Sequence, residues 1–137
     1  MDIKEYSGNS LSFIGDAVFT LRVREYFITG HYQSSKSLQR LCNGYNSAKG
    51  QTKVFRRLEA EGFFTDEELD AYKRGRNHIS HIPKNCDLQT YECASGLEAI
   101  CGYLYLNDRK RLEEFFAKVF EGGIHNELLC LWTQFFL

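Results

Sequence analysis

Residues 11–28 constrain the fold more than any other stretch of the chain. On a helix at about 100° per residue, their apolar side chains fall almost all the way round, which is typical of a helix buried on several sides. One narrow stripe interrupts this pattern, because Ser12, Asp16 and Thr20 lie at i, i+4 and i+8. A carboxylate is rarely buried without a partner. We therefore expect a cation, a hydrogen-bond network or a metal beside Asp16.

The composition limits the class of protein. The net charge of -1 gives no overall basic field, so any contact with nucleic acid must come from local patches. A single proline favours long, uninterrupted helices. Five cysteines without a C-x-x-C pair, and no signal peptide, indicate reduced thiols in the cytoplasm. No apolar run reaches the length of a membrane span, so we expect no membrane contact.

The spacing of apolar residues and caps predicts an all-α chain of six to eight helices, with no strand. The length fits a single domain over residues 1–137, with 1–8 as a lead-in and 124–137 as an apolar C-terminal helix. The other predicted helices are 10–29 with Asn9 or Ser10 as cap and Gly30 as end, one from Ser34 or Ser35, one from Ser47 to Gly62, one from Thr65 to about Gly75, 89–106, and one from Asp108 to Gly122-Gly123.

The helix predicted over 89–106 presents a second acid. Glu98 lies off its apolar face, and Ser95 and Gly102 beside it are small, so another backbone or a ligand can come close. Two carboxylates from different helices, with water in the remaining positions, suit an octahedral Mg²⁺. The plain alternative is that Asp16 and Glu98 are solvated or paired with basic side chains.

Two groups of basic residues are candidate phosphate contacts. If they do not contact phosphate, the first group, on the helix from Ser47, forms a solvated helix face. The second group, around the loop that follows Gly75, then provides favourably placed cations at a helix C-terminus. The polar loop over residues 75–88 contains His78 and His81, three positions apart; a catalytic or metal role, a contact with phosphate and no specific role all stay open for them. The first group is Lys49, Lys53, Arg56 and Arg57, and the second is Lys73, Arg74, Arg76 and Lys84.

Several stretches together resemble a known family. In this order and spacing they are similar to the ribonuclease III family, and in particular to its Mini-ribonuclease III branch, which has the nuclease domain without a double-stranded-RNA-binding domain. The stretches are Phe13-Ile14-Gly15-Asp16-Ala17-Val18, Ser47-Ala48-Lys49, Lys73-Arg74-Gly75-Arg76-Asn77, Pro83-Lys84-Asn85 leading to Gln89-Thr90-Tyr91, and residues 97–106.

The resemblance implies an all-α homodimer that cuts double-stranded RNA with Mg²⁺, or with Mn²⁺ as a substitute, and leaves 5′-phosphate and 3′-hydroxyl ends. It implies a stem in precursor large-subunit (23S) ribosomal RNA as the typical substrate. Asp16 and Glu98 stand where the family has its catalytic, metal-binding acids. Phe13 stands where the family packs an aromatic ring into the partner subunit. The resemblance also favours RNA contacts for Lys49, Arg74, Arg76 and Lys84.

The chain departs from the larger enzymes of the family at two positions. Those enzymes carry four acids per site, two of them at the positions of Ser12 and Ser95 in this chain. The Mini branch also lacks acids at these two positions. The number of metal ions therefore stays open, and the serine hydroxyls are candidates to hold metal-bound water. The missing acids also favour an alternative, a catalytically silent module that dimerises and binds RNA. A ribosomal-protein helper stays open as well.

Overall fold

The part of the chain that the computed structural model describes, residues 2–30, 34–77, 81 and 84–121, is built from helices. It contains no strand, and the predicted all-α class is confirmed. None of these helices is long and apolar enough to cross a membrane. The predicted stop at Gly122-Gly123 and the predicted helix over 124–137 lie outside the described residues. The elements are a 3₁₀ turn Ile3–Glu5 and the helices α1 Gly8–Thr29, α2 Ser35–Asn46, α3 Ala48–Ala60, α4 Asp66–Arg76, α5 Leu88–Asn107 and α6 Arg109–Glu121.

Local capping chemistry sets most helix starts. Ser34 caps α2, Ser47 caps α3, and Thr65 forms a reciprocal capping box with Glu68 at the start of α4, as predicted. The first helix begins earlier than predicted. Its N-cap is Ser7, rather than Asn9 or Ser10, and the Ser7 side chain accepts a hydrogen bond from the backbone amide of Ser10. Gly8 and Asn9 already belong to the helix.

Gly75 is the next-to-last residue of α4, so the predicted end near Gly75 is confirmed, with Asn77 as the C-cap. Gly75 is buried inside the helix, where a methyl group would lie 2.9 Å from both the Ser12 hydroxyl and the carbonyl oxygen of Ser95. The glycine therefore allows α1, α4 and α5 to meet closely, which explains a residue that otherwise weakens a helix interior.

The crossing of α1 and α5 is the centre of the fold. A methyl group at Gly15 would lie 2.6 Å from the carbonyl carbon of Glu98, and one at Gly102 would lie 2.9 Å from that of Leu11. The two helices thus pack backbone against backbone, which confirms that another chain segment approaches the small residues beside Glu98. Large side chains fill the core on both sides of this crossing, among them Phe19, Phe27, Leu97, Ile100, Phe115 and Phe116.

One face of α1 is not covered by the described residues. Phe13, Leu21 and Ile28 are 82%, 56% and 63% exposed, although the sequence predicts a helix buried on several sides. Within the described part of one chain, α1 buries the opposite face only, through residues such as Leu11 and Val23. Exposed apolar side chains that share one helix face are typical of interaction surfaces.

Candidate metal centre and nucleic-acid interface

The α1–α5 crossing brings two carboxyl groups together. Asp16 is exposed on α1, and Glu98 is half-buried on α5 within hydrogen-bonding reach of it. Burial is the largest cause that raises the pKa of Glu98, followed by the hydrogen bond and the negative charge of Asp16, and together they raise this pKa to about 9. Without a cation, the pair therefore holds a proton at neutral pH.

Such a pair suits a divalent cation. A cation between the two groups would replace the shared proton and remove the repulsion that raises the pKa of Glu98. The donors are carboxylate oxygens, which Mg²⁺ prefers, and the exposure of Asp16 leaves room for the waters that Mg²⁺ retains. Among the residues that the structure describes, no group of three or more His, Cys, Asp or Glu side chains forms a metal cluster. The candidate centre therefore consists of two acids.

Two uncharged side chains contact the acids. The Thr20 hydroxyl donates to Asp16 Oδ1 at 3.5 Å, one helical turn away, as the i+4 spacing of the polar stripe suggests. Gln51 on α3 is buried, and its amide donates a hydrogen bond to the Glu98 carboxylate. Sequence reasoning missed Gln51. The available signal was its place on the apolar face of α3, in line with Val54, Phe55 and Leu58.

The two serines at the positions of the missing acids take part in packing. The Ser12 hydroxyl donates to the carbonyl oxygen of Ser95 at 2.8 Å and joins α1 to α5. Ser95 is itself buried beside Gly75. The Ser12 hydroxyl thus makes a helix–helix contact, and the idea that it holds metal-bound water gains no support from this geometry.

The basic group on α3 divides into exposed and packed members. Lys49, Lys53 and Arg56 are exposed. Arg57 is half-buried, and its guanidinium donates to the carbonyl oxygens of Lys118 and Val119 at 2.7 and 3.0 Å. These carbonyls lie in the last turn of α6, so Arg57 stabilises a helix C-terminus and is not part of a phosphate-facing strip.

The second basic group is also mixed. Arg74 donates to the carbonyl oxygen of Tyr6 at 2.9 Å and pairs with Asp70 at 3.6 Å, which holds the N-terminal segment against α4. Arg76 lies over the ring of Tyr72, with 5.8 Å between the guanidinium carbon and the ring centroid. Lys84 and Lys73 are exposed.

The remaining sequence candidates fall into three groups. His81 is exposed, and His78 lies outside the described residues. Cys93 and Cys101 are buried in the core, where a free cysteine packs as a small apolar side chain. Phe13, the expected partner contact, is the most exposed large apolar side chain of the described residues and stands one helical turn from Asp16.

Comparison with known proteins identifies relatives of this chain. The model of the family described as "Ribonuclease III domain" matches residues 9–109. The protein named Mini-ribonuclease 3 from Enterococcus faecalis is 39% identical over 115 residues, which cover 82% of this chain and 87% of the relative. Its namesake from Staphylococcus aureus is 40% identical over 119 residues, which cover 85% and 89%.

The fold has a solved counterpart. The crystal structure of a protein from Fusobacterium nucleatum matches this chain with a TM-score of 0.78 and 28% sequence identity. The match covers 89% of this chain and 99% of that protein. The helical arrangement around the two acids is therefore shared over nearly the whole length of both molecules.

Proposed function

The chain belongs to the ribonuclease III family of double-strand-specific endoribonucleases, and on this premise we propose that it hydrolyses RNA duplexes at Asp16 and Glu98. The observation that carries the assignment of the site is the meeting of these two carboxyl groups across the α1–α5 crossing. They come from two of the stretches that carry the family resemblance, and they lie in contact although they are 82 positions apart in the chain.

We propose Mg²⁺ as the cofactor, with Mn²⁺ as a substitute, held by Asp16 and Glu98. When bound, such an ion acidifies and orients the attacking water and neutralises charge at phosphorus. The protein's own part is to place the two carboxyl groups side by side, with Asp16 bonded by Thr20 and Glu98 by Gln51. The products have 5′-phosphate and 3′-hydroxyl ends.

We propose that cations on α3, on α4 and in the segment after α4 bind the duplex through its phosphates. An A-form duplex is recognised by shape across its minor groove, so these contacts carry little sequence information. Lys49, Arg76 and Lys84 are the main candidates because they are not committed to helix packing in the way that Arg57 is. Arg74 is retained as a candidate, but its bond to Tyr6 means that a substitution there also affects stability.

The proposed substrate is a stem in precursor large-subunit ribosomal RNA, in the cytoplasm. This finer assignment depends on the resemblance to the Mini branch and on the relatives of that name, not on a feature of the site. The described residues give no support for a ribosomal-protein helper, and we propose none.

We propose that two copies of the chain pair through the exposed apolar face of α1. Phe13, Leu21 and Ile28 form this face, and Asp16 lies at its edge. A two-fold dimer through α1 places two acid pairs on one assembly, one for each strand of an antiparallel duplex. Sedimentation equilibrium at micromolar concentration tests this: we expect a dimer for the wild type and a monomer for Phe13→Asp. The matched control is Leu106→Asp on α5, which should stay dimeric, and a monomeric wild type contradicts the proposal.

The central test is cleavage of an end-labelled RNA duplex with Mg²⁺ by wild type, Asp16→Asn and Glu98→Gln. We expect metal-dependent cutting by the wild type and none by either variant, while circular dichroism and duplex binding are unchanged. Glu25→Gln removes an exposed acid from the same helix as Asp16 and should cut like the wild type.

A second candidate function is a silent module that binds RNA without cutting. The occupation of two acid positions by Ser12 and Ser95, with Ser12 committed to a helix contact, favours it. A wild-type protein that binds the duplex but cuts with neither Mg²⁺ nor Mn²⁺ would make this the better assignment.

A further inference from the structure

Gln51 is the buried polar side chain whose place is least explained by packing alone. It is 3% exposed, in the second turn of α3. Two other buried polar side chains of the described part have structural partners: Thr52 donates to the carbonyl oxygen of Thr90 at 3.1 Å, and Glu68 pairs with Arg111 at 2.8 Å. The amide of Gln51 is instead directed at the carboxylate of Glu98.

The backbone around Gln51 is held firmly. On one side, a methyl group at Gly50 would lie 2.8 Å from the carbonyl carbon of Gly44 and 3.1 Å from Cα of Tyr45, so α3 begins in close contact with the end of α2. On the other side, Thr52 is bonded to the first turn of α5, the helix that carries Glu98. Residue 51 therefore approaches Glu98 from a fixed position on a third helix.

The residue type suits this position. A side-chain amide donates a hydrogen bond to a carboxylate without carrying charge. A lysine or arginine here would compete with a metal cation for Glu98, and a glutamate would repel the Glu98 carboxylate. A neutral donor orients the carboxylate and leaves its charge available.

We infer that Gln51 is a positioning residue that holds the Glu98 carboxylate in the orientation in which it binds a divalent cation together with Asp16. This inference rests on the proposed metal-dependent function. It assigns α3 a direct part in the centre, in addition to the exposed lysine at 49 that the same helix presents to solvent. Removal of partners that orient metal ligands typically lowers metal affinity or activity about 10–100-fold.

The test compares wild type, Gln51→Met and Thr52→Val. Gln51→Met keeps the length of the side chain and removes the donor. Thr52→Val removes the neighbouring bond between α3 and α5 but leaves the contact with Glu98, so it is the control for a purely structural role. Binding of Mn²⁺ is measured without RNA, by the loss of the free-ion electron paramagnetic resonance signal, and thermal unfolding is recorded for each protein.

We expect Gln51→Met to weaken Mn²⁺ binding by about 10-fold or more, with the KM for the duplex within about twofold of the wild type, because the duplex contacts are elsewhere. Thr52→Val should lower the melting temperature and weaken Mn²⁺ binding much less than Gln51→Met does. Equal Mn²⁺ affinity in Gln51→Met and wild type overturns the inference. A wild type that binds no Mn²⁺ and cuts no duplex overturns the proposed function itself, so the two failures are distinct.

Gln51→Glu provides a second measurement if Gln51→Met does not fold. It keeps the shape of the side chain and replaces the donor by an acceptor. We expect its cleavage rate at saturating metal to fall about tenfold, because Glu98 is no longer held by a donor. A wild-type rate at saturation would overturn the positioning role.

Discussion

Removal of the Asp16 charge should flatten the pH dependence of stability in the metal-free protein. The folded chain keeps a proton on Glu98 up to a pKa of about 9, whereas the unfolded chain releases it at the usual 4.5. Between these values unfolding releases a proton, so the free energy of unfolding falls as the pH rises. From pH 6.5 to 8.5 this ionisation lowers the free energy of unfolding of the wild type by about 2.5 kcal/mol.

Asp16→Asn removes the negative charge that contributes to the raised pKa of Glu98, while the burial remains. We therefore expect the variant to lose roughly half as much stability over the same pH range, a difference of about 1 kcal/mol. Subtracting the free energy of unfolding of the wild type from that of the variant at each pH cancels the contributions of other titrating groups. Glu113, whose pKa is lowered by its bond to Arg22, is one such group.

The assay is urea denaturation followed by circular dichroism, at several pH values, with EDTA in every buffer. Glu25→Gln is the matched control, since it removes one exposed acid from the same helix and should give a curve parallel to that of the wild type. If Asp16→Asn also runs parallel to the wild type, then the two carboxyl groups do not interact and the reasoning about the candidate centre is wrong.

Four further perturbations test the packing and the RNA surface. Gly15→Ala should destabilise the fold by about 3 kcal/mol in urea denaturation, because the added methyl group meets backbone atoms of α5. Gly44→Ala, where a methyl group meets nothing within 4 Å, should instead stabilise it by up to about 1 kcal/mol. Arg111→Ala leaves the buried Glu68 unpaired and should cost about 3 kcal/mol by the same assay, and a loss below about 1 kcal/mol would contradict the buried pair. Lys84→Ala should weaken duplex binding similarly for all sequences and lower the slope of log affinity against log salt by about 1, as measured by filter binding; sequence-dependent weakening would contradict a phosphate contact.

Features that depend on neighbouring residues in the chain were predictable. Ser47, Thr65 and Asp108 begin helices because a side-chain oxygen satisfies amide groups two or three positions later, and such chemistry is visible in a short window. The polar stripe through Asp16 and Thr20 was visible for the same reason, since helical periodicity alone defines it.

Features that depend on contacts between distant helices were not predictable from local patterns. Gly75 looks like a helix end in sequence, and only the closeness of α1 and α5 explains it as a packing residue. Arg57 looks like part of a basic strip, and only the position of the last turn of α6 explains its bonds. Gln51 looks like a polar interruption of an apolar face until Glu98 is placed opposite it.

The backbone contact at Gly15 and Gly102 makes the candidate centre a part of the core. Neither acid stands on a loop, so the separation of the two carboxylates has the stiffness of the packed helices and not that of a flexible connection. The two helices cannot part without exposing Leu11, Leu97 and the residues packed around them. Heat should therefore inactivate the protein and melt its helices in one cooperative event, with no temperature range in which a folded chain has lost its paired acids.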